Sequence, residues 1–131
     1  MPAAESYPDD LRYHPEHDWA RVDGDEATLG VTWFAQDALG ELVHYEAPEA
    51  GSTVTKDQSY GEVESVKAVS DIIAPLSGEV LEVNGLLVDS PETVNEDPYG
   101  EGWLIRVRLT DPGEVDTLLD VEAYRKLLEE Q

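Results

Sequence analysis

Only Lys56, Lys67 and Lys126 are lysines in this chain of 131 residues, and only Lys67 stands between two runs of β character. The segment around it reads Gly61-Glu62-Val63-Glu64-Ser65-Val66-Lys67-Ala68-Val69-Ser70-Asp71. Small or apolar neighbours leave the lysine as the one long side chain at the crest of a turn. A Schiff-base role needs a buried, desolvated amine. Two glutamates before Lys67 and an aspartate after it would instead keep the amine charged and wet. An ordinary solvated turn lysine would sit in the same surroundings, so the spacing alone assigns no role.

The other groups that could do chemistry are carboxylates and three histidines. Asp and Glu number 30 against 8 Lys and Arg, a formal net charge of -22. The acids are spread along the chain without a paired signature, which speaks against an acid–base hydrolase. His14, His17 and His44 are too scattered to define a metal site, and no metal is expected. The chain has no cysteine, which removes disulfides, zinc thiolates and a cysteine nucleophile, although an attached cofactor can bring its own sulfurs. Nucleic acid and anionic membranes are poor partners for such a charge. Proteins with basic docking surfaces fit it, and the charge equally serves solubility.

The length suits one domain with a core of its own. Residues 1–10 read as a flexible acidic lead-in and residues 11–131 as a single domain. No apolar run approaches the ~20 residues of a membrane span. Met1 to Asp10 has no basic residue before an apolar run, so a secretory signal is not expected and a cytoplasmic location is.

From residue 11 the chain reads as short strands broken by turn signals. Asp18 to Val22 and Glu26 to Val31 flank the turn Asp23-Gly24-Asp25. Thr32 caps a short helix, Trp33 to Leu39, that Gly40 stops. Glu41 to Ala47 is a strand. Tyr60 to Val66 and Val69 to Ala74 are the pair flanking Lys67. In the first of these, Gly61, Val63 and Ser65 share one face, and Tyr60, Glu62, Glu64 and Val66 the other. Glu79 to Asn84 follows. Gly102 to Leu109 alternates, with Trp103, Ile105, Val107 and Leu109 opposite Leu104, Arg106 and Arg108. Asp120 caps a last helix with Ala123, Tyr124, Leu127 and Leu128 on one side. Trp19 and Trp103 read as core residues. The sum is mainly β and antiparallel, with peripheral helices.

The chain carries, in order, the motifs His17-Asp18-Trp19, the Gly61 to Asp71 segment, Pro75-Leu76-Ser77-Gly78-Glu79-Val80, Val94 to Trp103 and Leu118-Leu119-Asp120. Together they resemble one family, the H protein of the glycine cleavage system. The match runs from about Leu11 to Leu128. The resemblance implies a barrel-sandwich hybrid fold, as in lipoyl domains, with the lysine on a hairpin. It implies a non-catalytic carrier, with lipoate amide-linked to Lys67. Biotin carriers usually present Met-Lys-Met at this turn, and Val66-Lys67-Ala68 departs from that.

The function so implied is to shuttle the aminomethyl group of glycine on a swinging lipoyl arm. The partners implied are a lipoate-attaching enzyme, glycine decarboxylase, aminomethyltransferase and dihydrolipoyl dehydrogenase, with the carrier itself a monomer. By motif position, Asp71 and Asp18 are the carboxylates that would hold the cargo amine. Glu64 and Ser65 belong to the same attachment site, and Glu62 and Glu64 are candidates for guiding the lipoate-attaching enzyme. Each of these acids would read equally well as a solvated surface group.

The N-terminal half departs from the family pattern. Thr32-Trp33-Phe34 replaces Thr-Asp plus an aromatic or histidine. Val43-His44-Tyr45-Glu46-Ala47-Pro48 replaces a Val/Phe-rich run before Glu-Leu-Pro, and His17-Asp18-Trp19 replaces His-Glu-Trp. A larger aromatic and a histidine near the arm would also suit a sulfur intermediate. The alternative is therefore an H-like lipoate-binding carrier of bacterial sulfur oxidation, serving a heterodisulfide-reductase-like complex.

Overall fold

The structure is a computed structural model and describes residues 3–131. Met1 and Pro2, part of the N-terminal segment read above, lie outside the described residues. Strands β1 (Arg12–His14), β2 (Asp18–Asp23), β3 (Glu26–Val31), β5 (Thr53–Val54), β8 (Gly78–Val83) and β9 (Ile105–Leu109) form one sheet in the order β1-β2-β3-β9-β8-β5. Strands β4 (Leu42–Glu46), β6 (Ser59–Ser65) and β7 (Val69–Ile73) form a second sheet in the order β4-β6-β7. Every pairing is antiparallel. The inward faces of both sheets make one core, to which Leu29, Val31, Ile105 and Val107 contribute from the first and Leu42, Val63 and Ile72 from the second. Such two-sheet burial supplies the main stabilisation of the body that carries the Lys67 turn.

Among the described residues, four α-helices lie outside the sheets, α1 (Trp33–Leu39), α2 (Leu86–Asp89), α3 (Thr93–Glu96) and α4 (Val121–Glu129), together with a 3-10 helix over Pro112–Thr117. The Thr32 side chain caps α1 through the Ala35 N–H, and Gly40, at φ 85°, ends it. Asp120 caps α4 through the Ala123 N–H. A second cluster, Tyr7, Leu11, Tyr13, Trp19 and Tyr124, fixes α4 and the N-terminal segment to β1 and β2. Residues 3–10 carry no strand or helix, but they are tied down. Trp33 Nε1 donates to the Ala3 carbonyl, and the Tyr13 and Tyr99 hydroxyls donate to the carbonyls of Pro8 and Ser6.

Three details differ from the strict alternation of the sequence. The register slips between Ser59 and Gly61, so Tyr60 turns inward and is buried beside Val63 rather than sharing the glutamate face. A one-residue bulge resets the period-two count in this way. Strand β9 begins only at Ile105. Leu104, assigned by alternation to the arginine face, is fully buried because it precedes the strand. In α4 it is Val121, with Tyr124, Leu127 and Leu128, that packs inward, whereas Ala123 is exposed.

Candidate functional site

Strands β6 and β7 form a hairpin whose paired rows end at Glu64 and Val69. Val66, Lys67 and Ala68 make its crest. The Ser65 N–H donates to the Ala68 carbonyl at 2.8 Å. The buried Ser65 hydroxyl oxygen accepts from the N–H groups of Lys67 (3.3 Å) and Ala68 (3.2 Å). Ser65 thus holds the crest from below, by the local side-chain-to-backbone bonding typical of serine in turns.

Lys67 is exposed. Among the described residues no hydrogen bond or ion pair holds its Nζ. Its stem lies over the end of α1, since a Cβ added at Gly40 would stand 3.5 Å from Lys67 Cε. The α1–β4 connection below it is pinned by Asn95. That side chain accepts from the Leu42 N–H (2.9 Å) and donates to the Gly40 carbonyl (2.8 Å) and the Gln36 side chain (3.0 Å). Asn95 lies in α3, and the Val94 to Trp103 motif in the sequence does not show that it braces the lysine.

Along β7 a cleft of about 400 Å³ is lined by Glu16, Val69, Ser70, Asp71 and Ile73. Asp71 is exposed on its wall. Asp18 is almost fully buried. Burial pushes its pKa well above the usual carboxylate range, and the Glu16 charge pushes the same way, while the backbone N–H of Ile73 pulls it down. Glu16 and Ile73 both line the cleft, so Asp18 lies behind the wall that Asp71 faces. One Asp18 oxygen, Oδ2, has no hydrogen-bond partner among the described residues, nor have the buried Tyr45 and Tyr60 hydroxyls. The two tyrosines were not singled out in the sequence, because alternation alone put Tyr60 on the solvent face.

Glu62 and Glu64 are exposed on the outer face of the hairpin. His44 lies beside Glu64 across β4 and β6, also exposed. Trp33 faces the N-terminal segment, its ring nitrogen bound to Ala3. Neither residue lines the Asp71 cleft.

Two small antiparallel sheets that lift one unpaired lysine on a tight hairpin define the class of lipoyl-type carrier domains. Residues 11–131 match the family model described as "Glycine cleavage H-protein". The glycine cleavage system H protein of Rubrobacter xylanophilus is 55% identical over 124 residues, covering 95% of this chain and 96% of that protein. The probable glycine cleavage system H protein of Haloarcula marismortui is 52% identical over 122 residues, covering 93% and 96%. The crystal structure of a glycine cleavage system H protein from Mycobacterium marinum superposes with a TM-score of 0.86 at 43% identity, covering 94% of this chain and 99% of that one. This chain belongs to the glycine cleavage H-protein family.

Proposed function

We propose that the protein is the lipoyl-bearing, non-catalytic carrier of a glycine cleavage system, working in the cytoplasm and modified at Lys67. The observation that carries this reading is the crest itself: a rigid turn that leaves one unpaired amine in solvent. An attaching enzyme can reach such an amine, and the residues around it fit an amide-linked arm. Acylation removes a charge that has no partner to lose among the described residues. Family membership supports the aminomethyl cargo, and it gives the sulfur-carrier alternative no support. The departures that suggested that alternative, Trp33 and His44, stand away from the Asp71 cleft.

Bound at Lys67, a lipoyl group supplies a dithiolane that takes up a carbon fragment and two electrons. The chain's own residues do the rest. Ser65 and the β6–β7 ladder fix where the arm starts, which sets its effective concentration at a docked enzyme. Asp71, on the cleft wall, offers a carboxylate to a cationic amine at the arm's end. Asp18, held behind that wall, adds a second acid whose ionisation a nearby cation would favour. Glycine decarboxylase, aminomethyltransferase and dihydrolipoyl dehydrogenase are the partners in this reading, with a lipoate-attaching enzyme acting first. In each encounter the carrier acts as a monomer.

Intact mass on protein from its native host tests the reading. A lipoyl-sized increment that disappears in Lys67→Arg is the expected result. An unmodified wild-type protein that still supports glycine–bicarbonate exchange with purified glycine decarboxylase would overturn it.

A further inference from the structure

The two walls of the Asp71 cleft come from different parts of the chain. Glu16, between β1 and β2, makes one, and Val69, Ser70, Asp71 and Ile73 of β7 make the other. Hydrogen bonds in series join them. The Glu16 N–H donates to His14 Nδ1 at 3.0 Å, and His14 Nε2 lies 2.6 Å from Asp57 Oδ1. The Asp57 N–H then donates at 2.8 Å to the carbonyl of Ala74, the residue after Ile73. Because Nδ1 accepts, the ring proton sits on Nε2 and is donated to Asp57. Both ring nitrogens are thus engaged, and the His14 side chain is only 7% exposed. An imidazole held in this way is a strut, with no nitrogen left for acid–base work. Asp57 has φ 72°, a backbone that glycine adopts at no steric cost. The turn itself therefore asks for no carboxylate. The carboxylate holds His14, with Lys56 Nζ 3.1 Å away on the same oxygen. The His14 bond, and after it the Lys56 bond, holds the Asp57 carboxyl below the usual carboxylate range. It stays ionised, so its grip on Nε2–H is charge-assisted. Asp18 adds a parallel tie from β2 to the N–H of Ile73, but the turn that carries Glu16 is held through His14.

We infer that His14 and Asp57 are positioning residues of the cargo cleft, a clasp that fixes the Glu16 wall against the β7 wall. The inference rests on the reading of Lys67 as the arm's attachment point and of the cleft as the place its amine occupies. Neither residue touches the cargo. The clasp sets how closely Glu16 and Asp71 close on a cationic amine, and how far water is kept from it. Cutting the chain of bonds at Asp57 leaves every lining residue in place but frees the turn that carries Glu16.

The test begins on the full-length protein before lipoylation. Asp57→Gly keeps the backbone conformation and removes the middle of the clasp. The Glu16 amide should then exchange with solvent about tenfold faster, and 15N NMR should show His14 leaving its single Nε2–H tautomer for a mixture. Asp57→Asn keeps an oxygen for Nε2–H and tolerates the same φ, so it should restore both readings. Lys56→Gln removes the other partner of Asp57 and should leave both at wild-type values. The same proteins are then lipoylated and loaded with glycine and purified glycine decarboxylase, and the aminomethyl mass is followed once the enzyme is removed. Asp57→Gly should lose that mass to water about fivefold sooner, and the other two variants should match wild type. Unchanged Glu16 exchange in Asp57→Gly, no recovery in Asp57→Asn, or equal losses in Lys56→Gln would overturn the clasp. Faster exchange with an unchanged lifetime of the aminomethyl mass would overturn its role in the cleft. A wild-type protein that takes up no aminomethyl mass would overturn the carrier reading and the cleft role with it, and the amide readings would still decide the clasp.

Discussion

Asp18 and Tyr60 come from different sheets and lie close enough for the Asp18 charge to raise the phenol's pKa. Both are buried, and Asp18 Oδ2 and the Tyr60 hydroxyl each lack a hydrogen-bond partner among the described residues. Tyr45, from the strand beside Tyr60, adds a second unpartnered hydroxyl to the same neighbourhood. A buried hydroxyl without a partner costs about 1–3 kcal/mol. Tyr60→Phe and Tyr45→Phe each keep the ring and remove that cost. Each should stabilise the protein by about 1 kcal/mol in urea denaturation. A loss of stability would mean that the hydroxyl is satisfied in solution.

The Asp18 carboxyl gives the second prediction. Its folded pKa is raised by burial and by Glu16. Below the unfolded value, about 4, both states hold the proton and no penalty arises. As pH rises from there toward the folded value, the unfolded chain releases a proton that the folded chain keeps, so stability falls. Asp18→Asn cannot titrate. The gain of the variant over wild type should therefore grow between pH 4 and pH 7 in urea midpoints. A constant gap across that range would show that Asp18 titrates normally in the fold.

The hairpin was legible because its signals are local. Small residues around one lysine, flanked by β-type runs, fix where a crest must come. The caps Thr32, Gly40 and Asp120 were legible for the same reason, since each acts within one turn of its own helix. Tyr60 and Leu104 were misplaced by facts that lie elsewhere in the chain. A bulge against β7 turns Tyr60 inward, and the late start of β9 frees Leu104 from alternation. Asn95 supports the lysine through Gly40 and Leu42, more than fifty residues away in sequence. No periodicity reports a bond of that length. The cleft is similar, because Glu16 reaches Asp71 only once the sheets are packed.

Ser65 is the third case. Its hydroxyl oxygen receives the N–H groups of two crest residues, Lys67 and Ala68. Ser65→Ala removes that acceptor and leaves the β6–β7 ladder in place. A neutral hydrogen bond is worth about 1 kcal/mol net, so the amides of Lys67 and Ala68 should exchange with solvent about fivefold faster. Exchange at Val63 and Ile72, within the ladder, should not change. Faster exchange throughout the hairpin would show that Ser65 stabilises the whole element rather than its crest.

The last prediction concerns the joint between α4 and the rest. The Tyr124 hydroxyl lies 2.8 Å from His17 Nδ1 and 2.8 Å from Thr32 Oγ1, and Thr32 caps α1. One phenol therefore links the β1–β2 turn, α1 and α4. Burial lowers the His17 pKa, so the folded chain resists protonation that the unfolded chain accepts. The sign follows directly. Above the unfolded value, about 6.5, both states are neutral and the contribution is flat. As pH falls below it, the unfolded state gains a proton first and stability drops. His17 has φ 74°, a conformation that asparagine tolerates better than most residues. His17→Asn should therefore fold, lose about 1 kcal/mol at pH 7 with the Tyr124 bond, and lose less than wild type between pH 7 and pH 5. Thermal midpoints at both pH values decide it. Parallel losses in the two proteins would assign the acid sensitivity to groups other than His17.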